Sequence, residues 1–177
     1  KHRMDFQQSL ITTVHDYSLG NLDAVAFNRE LSQRPTTLLI PCLMEEFSRP
    51  ALALIRDTLS SLKGLNRLVI ALAAESADHV AHAEAFFAGM PFPVQVHWTD
   101  GPAVKDLLES RGALGLEVTG PPGKGWAVWQ GLGVACQDAE VVGLFDADIR
   151  TFGSAYPERM LRPLLDRSHG IAYVKAF

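Results

Sequence analysis

Cysteine is scarce in this sequence: Cys42 and Cys136 are the two, far apart and each in apolar surroundings. They form no CxxC pair, so thiol nucleophilic catalysis has no support, and two distant cysteines favour reduced thiols over a disulfide. Both are expected to be reduced thiols in the core, with the cytoplasm as the expected compartment. The opening residues also lack the charged-then-apolar pattern of a secretory signal. Long hydrophobic runs are missing, so no stretch is able to span a bilayer. Basic excess is missing too: 16 Lys and Arg against 20 Asp and Glu leave a formal net charge of −4. That balance argues against a nucleic-acid surface or a polybasic membrane anchor. There is no Gly-x-Ser-x-Gly elbow to support a serine nucleophile, no internal repeat and no low-complexity tract.

What is present is an ordinary globular mixture, 47% apolar and 20% charged over 177 residues, enough for one domain with a substantial core. Phe6, Leu10 and Val14 recur at helical spacing, and Asn21 or a neighbour caps a second short helix through Leu31. These 34 residues are expected to form an amino-terminal helical segment ahead of the main domain at 35–177. Thr36 to Ile40 is a β-branched and apolar first strand, ended by Pro41. Leu52, Ile55, Leu59 and Leu62 stripe a helix from Pro50 to Leu62, with Ser48 as its N-cap. Leu65–Leu72 and Val94–Trp98 read as further strands. Helices are expected from Ser76 or Asp78 to Phe87 and from Pro102 to Ser110. Residues 112–125 read as a mobile glycine- and proline-rich loop. A helix follows to Cys136, whose Trp126, Trp129 and Leu132, three apart, predict core positions. A short helix over Pro157–Asp166 and a last strand over Gly170–Phe177 complete the pattern. Strands alternating with helices predict an α/β fold, a mostly parallel sheet with helices on both faces. Such sheets are normally covered by later helices, so the chain is expected to be the front part of a longer protein.

The stretch that organises this pattern is Val141-Val142-Gly143-Leu144-Phe145-Asp146-Ala147-Asp148. An apolar run too short for a helix predicts a buried strand, and alternation along it would put Asp146 and Asp148 on one side. Ligands in open α/β sheets bind at the strands' carboxyl ends. Two hard carboxylates there suit a divalent cation that also holds substrate phosphates. An acidic loop after a core strand is the bland alternative, since Asp is common in turns. Parallel strands bring Glu45, the residues around Glu75 and the Asp146/Asp148 pair to the same rim.

Gly120-Pro121-Pro122-Gly123-Lys124-Gly125 is no Walker loop: Val118 stands where the first glycine should be, and Gly125 where Ser or Thr should follow the lysine. Lys124 nonetheless sits at a helix N-terminus, where backbone N–H groups and the dipole favour anions. His79 and His82 lie three apart on one helix, a spacing that binds metal only with a third ligand, so they read as surface residues.

Three features occur in order: Pro41-x-Leu43-x-Glu45-Glu46 after the first strand, Gly123-Lys124-Gly125 opening a helix, and Phe145-Asp146-Ala147-Asp148 after an apolar strand. This set resembles the GT-A-fold, nucleotide-sugar-dependent glycosyltransferases of the family-2-like kind, and within them the glucosyl-3-phosphoglycerate and mannosylglycerate synthases. The opening Asp5-Phe6-x-Gln8-x-x-Ile11-Thr12-Thr13-Val14-His15-Asp16 is similar to the amino-terminal segment of the former, and Asp146-Ala147-Asp148-Ile149 with Phe152-Gly153 to a stretch of the latter. The resemblance covers the donor-binding half of such enzymes. It implies that Pro41, Leu43 and Glu45 line the nucleotide pocket, with Glu45 near base or ribose, and that Lys124 lies near the diphosphate. It also implies that Asp148 ligates Mg2+ or Mn2+ directly, with Asp146 nearer ribose or water. Relatives carry an acidic-glycine-serine run after the second strand, where this chain has Ala73-Ala74-Glu75-Ser76, so Ala73, Glu75 or Ser76 would substitute in base recognition. The implied reaction moves a hexose, glucose ahead of mannose, from a donor of the UDP-glucose or GDP-mannose type to 3-phosphoglycerate or glycerate, with retention at the anomeric carbon. A homodimer is a further expectation.

Two rival readings use the same residues. A phosphohydrolase would take Asp146 as nucleophile and Asp148 as acid, but that motif wants a threonine where Arg150 stands and follows a first strand, not a late one. A non-catalytic nucleotide-binding module is the other.

Overall fold

The computed structural model describes residues 22–113 and 123–176. Four strands, β1 (Thr36–Leu43), β2 (Arg67–Ala73), β3 (Val94–Trp98) and β4 (Val141–Leu144), form one sheet in the order β3-β2-β1-β4. Every pairing is parallel. The helices are α1 (Ala24–Gln33), α2 (Pro50–Leu59), α3 (Ala77–Phe86), α4 (Pro102–Ala113), α5 (Lys124–Ala135) and α6 (Ala155–Leu165). Single 3-10 turns occupy Met44–Ser48 and Arg167–His169.

The apolar strands are explained by cover on both faces. Leu38, Ile40, Leu68, Ile70 and Leu72 point to one side, into a core filled by Phe27 and Leu31 of α1, Leu52, Ile55 and Leu59 of α2, and Leu161 and Leu165 of α6. Leu39, Val69 and Ala71 point to the other side, where they meet Ala127 and Ala135 of α5. This second layer is thin because α5 presents small residues. Gly131 comes so close to the sheet that a Cβ there would lie 2.5 Å from Leu39 Cδ1. The expected α/β sheet with helices on both faces is the observed one.

Several boundaries differ from expectation. Pro41 does not end the first strand but pairs within it, opposite Ala71. Leu39 O accepts from Phe145 N on the β4 side, and residues two apart face the same neighbour, so Pro41's missing N–H falls on that side too. β4 has already stopped there, with Leu144 opposite Leu39. Ser48 does not cap α2; its hydroxyl donates to Glu45 O, and Arg49 precedes Pro50 at the N-cap position. That helix stops at Leu59, although Leu62 is still buried. Asp23 caps α1, its carboxylate accepting from Val25 N and Ala26 N. Residues 171–176 carry no strand, the chain having turned at Gly170. Cys42 is buried as expected, but Cys136 is exposed, and both are free. Trp126 and Trp129 are not core residues: the rings stack on each other 5.1 Å apart, and Trp129 is 58% exposed. Gln130, Gly131 and Ala135 face the sheet instead. His79 is half-buried and His82 exposed, its ring edge-on to Phe47. The expected helix of Phe6, Leu10 and Val14, the segment with His15, and most of the glycine- and proline-rich loop lie outside the described residues. Among the described residues no helix is long and apolar enough to cross a membrane.

Candidate active site

The sheet turns back on itself between β1 and β4: β1, β2 and β3 run outward in sequence, and β4 returns to the other side of β1. In open α/β sheets that reversal opens a crevice at the carboxyl ends of the strands. Here it is deepened, because β4 ends opposite Leu39 while β1 continues to Leu43.

Asp146 and Asp148 enter this notch from the β4 side. The strand-alternation argument does not hold them there, since β4 ends at Leu144 and Asp148 lies in a turn. The core does it instead. Phe145 is 2% exposed, edge-on to Phe152 and Tyr156, and Ala147 is 6% exposed, so the intervening carboxylates face outward. Asp148 is exposed and makes no hydrogen bond or ion pair with any described residue. Asp146 is half-buried and lines a pocket of about 440 Å³ between β4 and residues 172–176.

From the opposite layer comes Lys124, the first residue of α5, whose Nζ lies 2.7 Å from Asp146 Oδ1. Gly123 turns the chain into this helix at φ 148°, a conformation that side chains disfavour, and no described side chain caps the first turn. The helix thus opens beside Asp146, and a helix N-terminus with a lysine at its first position favours negative charge. Lys124 is largely exposed and Asp146 about half so, and the pair therefore contributes at most about 1 kcal/mol to stability. Its significance is placement: residues 22 apart in sequence (124 and 146) meet at the crevice.

On the β1 side, Pro41 is buried, Leu43 is 52% exposed, and Glu45 is exposed and paired with Arg49 at 3.1 Å. Arg49 also holds the neighbouring Glu46 at 2.6 Å, which is buried and whose Oε2 has no hydrogen-bond partner among the described residues. Burial, and then the Glu46 charge, push the Cys42 thiol up to about 12, so it stays protonated and unreactive. β2 delivers Ala73 opposite Leu43. Glu75 follows, exposed, its amide donating to His79 Nδ1. Ser76 has a structural occupation, its hydroxyl accepting from His79 N as the N-cap of α3. All the expected site residues therefore lie on one rim, divided into a charged end at β4 and α5 and a less charged end at β1 and β2. The sequence reading missed what holds the latter in place: side chains from Trp98 and Asp100, at the end of β3, bond to Ala74. The signal available was only a tryptophan closing a strand and an Asp-Gly turn after it.

Among the described residues no three His, Cys, Asp or Glu side chains gather to enclose a metal. A cation at Asp148 would have to complete its shell with substrate oxygens or water, as phosphate-bound Mg2+ does.

No family model matches the sequence. Curated relatives do: the chain is 33% identical over 175 residues to the glucosyl-3-phosphoglycerate synthase of Methanococcoides burtonii, covering 98% of this chain and 43% of that protein. It is 28% identical over 176 residues to the synthase of Persephonella marina, covering 97% and 43%. The chain is a homologue of the glucosyl-3-phosphoglycerate synthases. It spans less than half the length of these synthases, 43% in each case. Crystal structures of the Mycobacterium tuberculosis synthase share the fold. The complex with Mn2+, UDP and glucosyl-3-phosphoglycerate matches with TM-score 0.54 at 21% identity, over 89% of this chain and 48% of that one. The complex with Mn2+ and UDP-glucose matches with TM-score 0.56 at 20% identity, over 84% and 45%. The fold is therefore GT-A, as the motifs implied.

Proposed function

We propose that this chain is the nucleotide-sugar-binding part of a metal-dependent hexosyltransferase that moves glucose from UDP-glucose to 3-phosphoglycerate. The observation that carries this reading is the meeting of Lys124, at the start of α5, with Asp146, after β4, in the crevice where Asp148 is exposed and has no partner among the described residues. The names of the synthase relatives, and the Mn2+, UDP and UDP-glucose held by the mycobacterial structures, support it.

In this reading Asp148 holds Mn2+ or Mg2+, with Asp146 beside it, and an exposed carboxylate with no partner among the described residues fits that role. When bound, the cation supplies Lewis-acid neutralisation of the charge that gathers on the departing diphosphate. Lys124 and the first N–H groups of α5 stabilise the same charge from the other side, without reorganising as it develops. Pro41, Leu43 and Glu45 line the nucleoside, with Arg49 limiting the swing of Glu45. Ala73, Glu75 and Ser76 border the base, Ser76 through its place at the start of α3.

Thermal unfolding with nucleoside diphosphates tests the reading. A ligand that binds only the native state at about 100 times its Kd adds about 2.7 kcal/mol of stability. UDP with Mn2+ is expected to raise Tm, UDP with a chelator to raise it far less, and GDP with Mn2+ to have little effect. Failure of every nucleoside diphosphate to stabilise the chain in the presence of Mn2+ overturns the reading.

A further inference from the structure

The turn between β2 and α3 is held by a device that none of the expected site residues explains. Ala74 is 5% exposed, and both of its backbone polar groups are taken by side chains from the far end of β3. Its N–H donates to Asp100 Oδ1 at 3.1 Å, and its carbonyl accepts from Trp98 Nε1 at 2.7 Å. The residue between these two clamps is itself fixed. Thr99 is 4% exposed, and both its N–H and its hydroxyl donate to Leu72 O, at 2.9 and 3.1 Å. Its carbonyl accepts from Gln130 Nε2 at 3.0 Å, and Gln130 Oε1 lies 2.8 Å from His97 Nε2. Gln130 belongs to α5, the helix that begins with Lys124. The end of β3 is thus tied to β2 by its backbone and to α5 by a buried amide, and from that fixed base Asp100 and Trp98 reach Ala74.

What this turn would do follows from its place on the rim. Ala73 is in register with Leu43, so the chain through Ala74, Glu75 and Ser76 leaves the sheet beside the segment carrying Leu43 and Glu45. Lys124, Asp146 and Asp148 lie across β1, on its β4 side. A nucleoside diphosphate whose phosphates occupy the charged end would present its base to the other. We infer that Asp100 and Trp98 are positioning residues for the nucleobase: by holding both polar groups of Ala74 they set the β2–α3 turn against Leu43 and Glu45, and so set which base is accepted. This rests on the nucleotide-sugar reading above. A site must be held within fractions of an ångström by the shell behind it, and a backbone turn pinned at donor and acceptor together cannot adjust to a larger base.

Calorimetric titration of the chain with UDP, GDP and inorganic pyrophosphate, each with Mg2+, tests it. Loss of one such clamp hydrogen bond is expected to weaken binding by about tenfold, and here only for the base-bearing ligand. Asp100→Ala should therefore weaken UDP by that factor and narrow the preference for UDP over GDP, with pyrophosphate within twofold of wild type. Asp100→Asn keeps a carbonyl acceptor for the Ala74 N–H and should restore UDP binding. Trp98→Phe keeps an aromatic ring but not its N–H and should behave like Asp100→Ala, with circular dichroism confirming that each variant folds. Equal weakening of UDP and pyrophosphate overturns the inference, as does UDP binding that Asp100→Ala leaves unchanged, or an Asp100→Asn variant as weak as the alanine. A wild-type chain that binds pyrophosphate and both nucleotides without preference also overturns it, while leaving the charged end intact. Binding of none of the three overturns the nucleotide-sugar reading itself.

Discussion

At the scale of single residues, Asp148 and Lys124 separate function from stability. Neither is needed by the fold: Asp148 touches no described partner, and the Lys124–Asp146 pair is exposed. Asp148→Asn is expected to leave Tm of the free chain within the range of a surface change, about 0.5 kcal/mol, and to remove the Mn2+-dependent stabilisation by UDP. Lys124→Ala should weaken UDP without weakening uridine, and should lower turnover in the proposed reaction by about two orders of magnitude, the usual cost of one preorganised charge stabiliser. A thermal-shift series with and without Mn2+ checks the first, and paired UDP and uridine titrations the second. The thiols divide in another way. Cys136 should react with a thiol reagent at pH 8 in the native state, whereas Cys42 should react only on unfolding. Because the Cys42 thiol ionises near the usual 9.0 in the unfolded chain but is pushed up to about 12 in the native one, its contribution is complete below 9 and lost as pH rises towards 12. Urea midpoints should therefore fall more steeply between pH 9 and 11 in the wild type than in Cys42→Ala. The carboxylates of 146 and 148 were legible in the sequence, but their outward aim has another origin than strand alternation. Phe145 and Ala147, gripped by the core, set it, and which residues a core grips is a tertiary fact.

Among the elements, α5 shows how context overrules propensity. Gly131 and Gly133 are both helical glycines, and on propensity alone alanine improves either by about 1 kcal/mol. At Gly131 a Cβ would meet Leu39 Cδ1 at 2.5 Å and Ala71 Cβ at 3.2 Å, whereas at Gly133 nothing lies within 4 Å. Gly131→Ala is therefore expected to destabilise by about 1 to 3 kcal/mol through overpacking, and Gly133→Ala to stabilise by a fraction of that magnitude. Urea unfolding of the two variants checks the opposite signs. The same helix explains why the tryptophans were misplaced. A three-residue spacing of Trp126, Trp129 and Leu132 marks a stripe, and periodicity alone does not say whether that stripe or the small-residue one faces the sheet. The sheet took the small face instead, because Leu39 and Ala71 leave room only for glycine and alanine. The four strands and the six described helices were legible from apolar runs and periodicity, apart from boundary shifts of a few residues. The final strand was not: apolar alternation in 171–176 cannot by itself supply a neighbour to pair with.

Across the whole molecule, order is unequally distributed between the two sides of the sheet. One side carries a continuous core from Phe27 to Leu165; the other rests on α5, and α4 buries none of its described side chains. Hydrogen exchange is expected to reflect this, with amides of β1 and β2 exchanging only on global unfolding and those of α4 through low-cost local opening. Protection of α4 equal to that of β1 would contradict it. Pro41 has a last effect at this scale. Unpaired strand flanks invite other chains to zip on and aggregate, and β1 runs on from Ile40 to Leu43 with no β4 residue paired to it. An imino acid in that row offers an intruding backbone no donor to latch onto. The stretch of β1 that β4 leaves unpaired thus lacks one donor, at Pro41, which makes it a poorer template for another polypeptide.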